Sequence, residues 1–212
     1  MRQDRHLTKY FQFFEDCPMT ANANTGSWLN EPTTWTRNGN DLAFVTDAKT
    51  DFWRNTYYGF VRDSGHFLGV ETGSSFTATV RVVGKFESLY DQAGLMIRID
   101  ETQWVKTGVE LTDGELFLST VVTNGNSDWS VAKPFSELDD FHLRVTVNNG
   151  AMRIQASRTG MHWPLIRLAP FPTSENYLVG PMACTPERAG LSVAFFDFSI
   201  GPAITTDLHD LS

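Results

Sequence analysis

Residues 104–123 read WVKTGVELTDGELFLSTVVT. Asp113-Gly114 is a dipeptide that supplies the positive φ angles of a two-residue hairpin turn, and such a turn sets Thr112 against Glu115. Counting back from that pair, Leu111 faces Leu116, Val109 faces Leu118, Thr107 faces Thr120 and Val105 faces Val122. The apolar side chains then coincide on one face. A slip of one residue would turn one strand inside out, so the coincidence marks the register. If five residues make the preceding connection, a third strand joins. Arg98 then falls opposite Trp104, Met96 opposite Lys106, Gly94 opposite Gly108 and Gln92 opposite Glu110. Ala93, Leu95 and Ile97 extend the apolar face.

The other face is less ordinary. Gly94, Gly108 and Ser119 stand side by side across three strands as a low floor. Gln92, Glu110 and Phe117 flank it on one side, and Met96, Lys106 and Val121 on the other. Arg98, Trp104 and Thr123 follow further along. Segment 124–129, read as a loop ending in Asp128-Trp129, emerges at the Trp104 end. Glycine inside a strand marks close approach of a ligand or of another backbone. Two readings stand: a plain solvated face with cross-strand charges, or a trough for a flat polar ring. On the second, Trp104 and Trp129 are exposed stacking surfaces, and Gln92, Arg98, Lys106, Glu110 and Asp128 are polar lining. The space over the floor is then empty, and Gly108→Val should keep the fold while blocking it.

Similar runs fill the rest of the chain. Turn signals at Asn38-Gly39-Asn40, Asp63-Ser64-Gly65, Asn124-Gly125-Asn126, Asn149-Gly150 and Thr159-Gly160 separate segments rich in Val, Ile, Phe, Thr and Trp. These cover 42–46, 67–70, 76–83, 92–99, 104–112, 115–123, 141–148, 151–157, 163–168, 177–183 and 191–200. No stretch longer than two turns carries a helical period, so the class is all-β, an antiparallel sandwich or barrel. The expected domain is 27–203. Residues 1–26 read as an N-terminal appendage, with an apolar turn at Tyr10–Phe14, a linker-like TANANTG and Met19 as an alternative start. The polar tail 204–212 is expected to fray.

Composition narrows the function. The chain has 212 residues, 41% hydrophobic and 13% aromatic, with a net charge of −8. That is enough apolar material for one core. Lys and Arg are scattered singly, which argues against nucleic acid and anionic membranes as partners. Cys17 and Cys184 are far apart, and no CxxC, HxH or HExxH spacing occurs, so neither a disulfide framework nor a metal site is indicated. No cofactor motif is present. Without a spanning apolar run, a signal-type stretch or an Asn-x-Ser/Thr sequon, the expected location is the cytoplasm.

The run from FWRNTYYGFVRDSGHFL through DQAGLMIRIDETQWVKTGVEL, VVTNGNSDWS, SRTGMHW and VGPMACTPERAGLSVAFFDFSI resembles the "regulation of enolase" family over roughly residues 28–200. That resemblance implies a concanavalin A-like lectin/glucanase sandwich, two curved antiparallel sheets in jelly-roll order. It brings no catalytic residues, and the family name describes an effect on another protein's abundance rather than a chemistry. The expected partner is a saccharide or other small polar ligand on the concave sheet face. The alternatives are a glycoside hydrolase with Glu110 as one carboxylate, or a regulatory interaction domain with no small ligand. Hydrolysis needs two carboxylates across the scissile bond. No E-x-D-x-E strand occurs, and Asp91, Asp128 or Asp197 would have to supply the second. Arg167 is read as paired with a carboxylate, Asp51-Phe52-Trp53 as a core-entering loop, Cys184 as a buried thiol, and His66 and His162 as packed.

Overall fold

A computed structural model describes residues 26–212. The apolar turn at Tyr10–Phe14, Cys17 and Met19 lie outside them. In chain order the strands are β1 (Ser27–Leu29), β2 (Thr34–Asn38), β3 (Asp41–Val45), β4 (Phe52–Arg54), β5 (Val61–Asp63), β6 (His66–Gly73), β7 (Phe76–Gly84) and β8 (Gln92–Arg98). They continue as β9 (Gln103–Thr112), β10 (Glu115–Asn124), β11 (Asn126–Ala132), β12 (Asp140–Asn148), β13 (Ala151–Ser157), β14 (Leu165–Pro170), β15 (Asn176–Cys184) and β16 (Ser192–Gly201). Every regular element among the described residues is a strand, and no helix is present that could cross a membrane.

Two seven-stranded antiparallel sheets form a sandwich. The first runs β1-β6-β15-β8-β9-β10-β11 and the second β14-β13-β12-β7-β16-β3-β2, with β4-β5 as a separate hairpin. Alternation puts Leu95, Ile97, Val105, Val109 and Leu118 of the first sheet against Phe76, Val80, Phe141, Val145 and Phe195 of the second, all in one buried core. Tyr177 joins from β15, its hydroxyl donating to the Pro172 carbonyl at 2.8 Å, so a large ring is buried without an orphaned polar tip.

The register of β9 on β10 is the one that the turn residues dictate, and that of β8 on β9 is the one a five-residue connection gives. Thr112 pairs with Glu115, Gly108 with Ser119, Gly94 with Gly108, and Arg98 with Trp104. The Asp100 carboxylate closes the connection by accepting from the Thr102 and Gln103 amides at 2.7 and 2.9 Å. The segment read as a loop at 124–129 is instead mostly strand. Gly125, at φ 75°, makes the turn, and β11 begins at Asn126.

Two further expectations are corrected. The C-terminal tail does not fray: Arg153 donates to the carbonyls of Thr206, Asp207 and Asp210, and Arg144 to that of Ser212. These guanidinium bonds satisfy backbone acceptors that no sheet reaches. His66 is buried, with Nδ1 2.6 Å from the Asn30 carbonyl and Nε2 accepting from the Asp47 amide at 3.0 Å. His162, by contrast, is exposed.

Candidate functional site

The face of β8, β9 and β10 turned away from the core is not an open trough. The segment between β3 and β6, including the β4-β5 hairpin, folds across it. Phe52 and Trp53 descend onto Met96, Trp104, Val121, Phe67, Met182 and Cys184 and form a second apolar cluster. Trp104 is therefore fully buried and is no stacking platform; its ring lies 6.0 Å from that of Phe52. Its Nε1–H has no partner among the described residues, an uncompensated cost of burying an indole. Arg98 is also withdrawn, held by a two-bond contact to Asp63 at 2.8 and 2.9 Å.

The glycine floor is corrected too. A Cβ on Gly108 would lie 2.0 Å from the Ala93 carbonyl oxygen and 2.7 Å from the Gly94 Cα; one on Gly94 would lie 2.0 Å from the Thr107 oxygen. The glycines make room for the neighbouring backbone, not for a ligand. The void beside Gly108 and Ser119 is only about 10 Å³, on the order of one water-sized probe. Gly108→Val would therefore not be harmless.

An open cleft of about 210 Å³ lies next to that floor. It is lined by Gln92, Lys106, Glu110, Val121 and Trp129 of the sheet, by Asp51, Trp53, Tyr58 and Phe60 of the covering segment, and by Tyr90, Pro186 and Glu187. Gln92, Lys106, Glu110 and Trp129 are thus brought together. Ser119 supports them, donating to Glu110 Oε2 at 2.9 Å while accepting from Trp129 Nε1 at 3.0 Å. Asp128 is not with them: it lies opposite Val122, on the other face of β11, and pairs with Arg167 at 2.9 Å. That pair also gives Arg167 its carboxylate.

The charges are arranged tightly. Lys106 Nζ lies 3.1 Å from Asp51 Oδ1, with the two side chains only 5% and 16% exposed. Burial opposes the ammonium, but the Asp51 and Glu110 carboxylates outweigh it, and the pKa of Lys106 is raised. Burial also pushes the Glu110 carboxyl above the ordinary carboxylate value, with Lys106 and Ser119 pulling the other way. Glu110 Oε1 accepts no hydrogen bond among the described residues and is not sealed from solvent, so it opens into the cleft. The Gln92 amide donates to the Tyr90 carbonyl at 3.2 Å.

Aromatic rings form the walls. Trp53 is fixed by Nε1 donating to the Thr56 carbonyl at 2.9 Å, and its ring meets Tyr58 edge-on at 5.7 Å. Tyr58 stacks on Phe60 at 5.3 Å. A hydrogen bond between the Tyr58 and Tyr90 side chains, with burial second, pushes Tyr90 up to about 12. The hairpin is tied at its base, where the Arg54 amide donates to Ser127 Oγ and Asn55 Nδ2 to Asn126 Oδ1, both at 3.0 Å. The sequence offered a signal for this wall in the aromatic density of FWRNTYYGF. Its Asp51-Phe52-Trp53 entry was legible as a core anchor, and Phe52 is one, but Asp51 and Trp53 line the cleft as well.

Of the acids weighed as a second carboxylate beside Glu110, none lines the cleft. Asp91 is fully buried and bound to Arg188, Asp128 pairs with Arg167, and Asp197 sits exposed at a bulge of β16. Asp51 and Glu187 are the acids that do. Among the described residues no group of three or more His, Cys, Asp or Glu is placed to hold a metal ion.

Comparison with known proteins agrees with the architecture. Over 187 residues the chain is 59% identical to "Regulation of enolase protein 1" of Saccharomyces cerevisiae (strain ATCC 204508 / S288c), covering 88% of this chain and 94% of that protein. A crystal structure of a functionally unknown protein from Saccharomyces cerevisiae superposes with a TM-score of 0.83 at 59% identity, covering 85% of this chain and 97% of that one. A GH43 protein BlXynB mutant from Bacillus licheniformis shares the sandwich at 13% identity, TM-score 0.65, over 89% of this chain but 41% of that one. At such identity the likeness is one of fold alone. Residues 28–203 match the family described as "Protein of unknown function (DUF1349)", and the chain belongs to that family.

Proposed function

We propose that the cleft binds a saccharide or a small polar molecule of saccharide size. One observation carries the reading: buried Lys106 and Glu110, with Glu110 Oε1 unpartnered among the described residues, open into a cleft walled by aromatic rings. Burying charge is costly unless each charge is fully paired, and a carboxylate shifted by burial beside a charge partner in a cleft is a functional-site candidate. Aromatic faces suit the apolar faces of sugar rings, while carboxylate, ammonium and amide groups answer hydroxyls. A fold shared with part of a GH43 glycoside hydrolase engineered for endo-xylanase and exo-arabinofuranosidase activity is compatible with this reading and lends it no residue.

The test is a thermal-shift and titration screen against mono- and oligosaccharides, since a ligand that binds only the native state raises its stability by mass action. A hit should weaken about tenfold or more in Trp129→Ala, whose side chain is 39% exposed and can be removed without opening the core. No hit, or a hit indifferent to Trp129→Ala, sinks the proposal. Asp51 and Glu110 at one cleft also leave room for catalysis. Turnover of the bound sugar, lost by several orders of magnitude in Glu110→Gln, would turn the binding site into an active site, because an amide cannot act as acid, base or nucleophile.

A further inference from the structure

The cleft has a charge preference that its shape alone does not reveal. Asp51, Glu110 and Glu187 line it against a single ammonium, that of Lys106, and no arginine lines it. Lys106 is engaged at 3.1 Å by Asp51. Glu187 is exposed at the mouth and has no ion pair among the described residues. Glu110 is buried, only 4% exposed, and its Oε1 faces the cleft with no donor among the described residues. Lys106 and Ser119 act on this carboxylate from within the protein, and Oε1 is the acceptor it has left for a bound donor or cation.

The walls favour the same sign. Trp53 and Trp129 have their indole N–H groups committed to Thr56 and Ser119, so what they offer a ligand is ring surface. Ring faces are negative and attract cations. The hairpin already shows the effect: the Arg62 guanidinium stands 4.5 Å from the Phe60 ring centroid.

We infer that the cleft selects a cationic sugar, one bearing a protonated amine, whose ammonium meets Glu110 Oε1 while its ring lies between the aromatic walls. This rests on the saccharide reading above and narrows it. Anionic sugars are disfavoured, because a uronate would bring a fourth carboxylate into a space that holds one ammonium. The hydroxyls of the ring remain necessary, because Gln92 and Lys106 supply hydrogen-bonding groups that a bare ammonium ligand would leave unanswered.

Calorimetric titration of the full chain near neutral pH compares the glucosamine disaccharide, its N-acetylated counterpart, a glucose disaccharide, glucuronate and choline. The amine-bearing sugar should bind at least about tenfold more tightly than the two neutral ones, with glucuronate and choline weaker still. Raising salt from about 0.05 to about 0.5 M should erode that advantage, since screening acts on the charge contact. Glu110→Gln should remove most of the preference while neutral sugars still bind. Glu187→Gln, at an exposed position that cannot unfold the chain, should lower it by a smaller factor. If the neutral sugars bind as tightly as the amine, the charge inference fails while the saccharide reading stands. If choline matches the amino sugar, the requirement for a sugar ring falls. If no sugar binds, both readings fall.

Discussion

The two faces of β8, β9 and β10 are made by the same strands and meet opposite fates. Towards the second sheet, Leu95, Ile97, Val105, Val109 and Leu118 pack into a continuous core. Away from it, the face is divided. One part, Met96 and Trp104, is as dry as the core because Phe52 and Trp53 cover it. The other, Gln92, Lys106, Glu110 and Ser119, is buried yet polar and opens at the cleft. The inner face is decided by local alternation. The outer one is decided by a segment about forty to seventy positions earlier in the chain, and that is what makes room for a site.

The sharpest way to break the comparison is at the glycines that both faces share. Gly108→Val puts a side chain where the Ala93 carbonyl oxygen and the Gly94 Cα already stand. It should cost more than about 4 kcal/mol, in the range of severe overpacking and strain. Urea unfolding measures it, and a stable variant would show that the strands can part at that point.

A second test asks whether the dry part of the outer face is truly core. Leu95→Ala on the inner face should cost about 2–5 kcal/mol and Trp104→Ala on the outer about 3–5 kcal/mol. Comparable losses in denaturant titrations support two cores on one sheet. A loss below about 1 kcal/mol for Trp104→Ala would mean that the β4-β5 cover contributes little packing.

The smallest effect, and the most informative about the wet part, belongs to Glu110→Gln. Burial raises the Glu110 pKa. A carboxyl whose folded pKa lies above its unfolded one lends stability when protonated. That stability is fully present below the unfolded pKa and is lost as pH rises through the folded pKa. Above the folded pKa the ionised group is a cost, so there the variant should melt a few degrees higher than the wild type. The gap should close as pH falls through that window. A variant that melts lower above the folded pKa would mean that Lys106 needs the Glu110 charge.

How much of this was legible follows from the same contrast. The hairpin turn at Asp113-Gly114 and the alternation around it determined the register of β9 and β10, and a five-residue connection before β9 added β8 and the glycine alignment. The cover was not legible, because β4 and β5 are three residues each and show no period. That hid Trp104's burial and the contributions of Asp51, Trp53, Tyr58 and Phe60. Asp128 was placed with Trp129 because 124–129 read as a loop. As a strand, alternation alone would have put Trp129 beside Val121 and Asp128 beside Val122, on opposite faces. Tyr90 and Glu187 lie in connections whose course depends on the finished sandwich.

The close contact of Gly94 with Gly108 works as a key in a keyway. Backbones can come that near only where two residues without Cβ atoms meet, and one alignment of β8 on β9 provides it. Sliding the strands by two residues would keep every side chain on its proper face, so hydrophobic patterning alone cannot reject that error. It would, however, set Gly94 against Lys106 or Glu110, forcing the strands back to ordinary spacing and breaking the contact. Misalignments that burial cannot detect are thereby refused by shape, and the cleft residues Gln92 and Glu110 arrive opposite one another, with Lys106 on the same face of β9, in only one way.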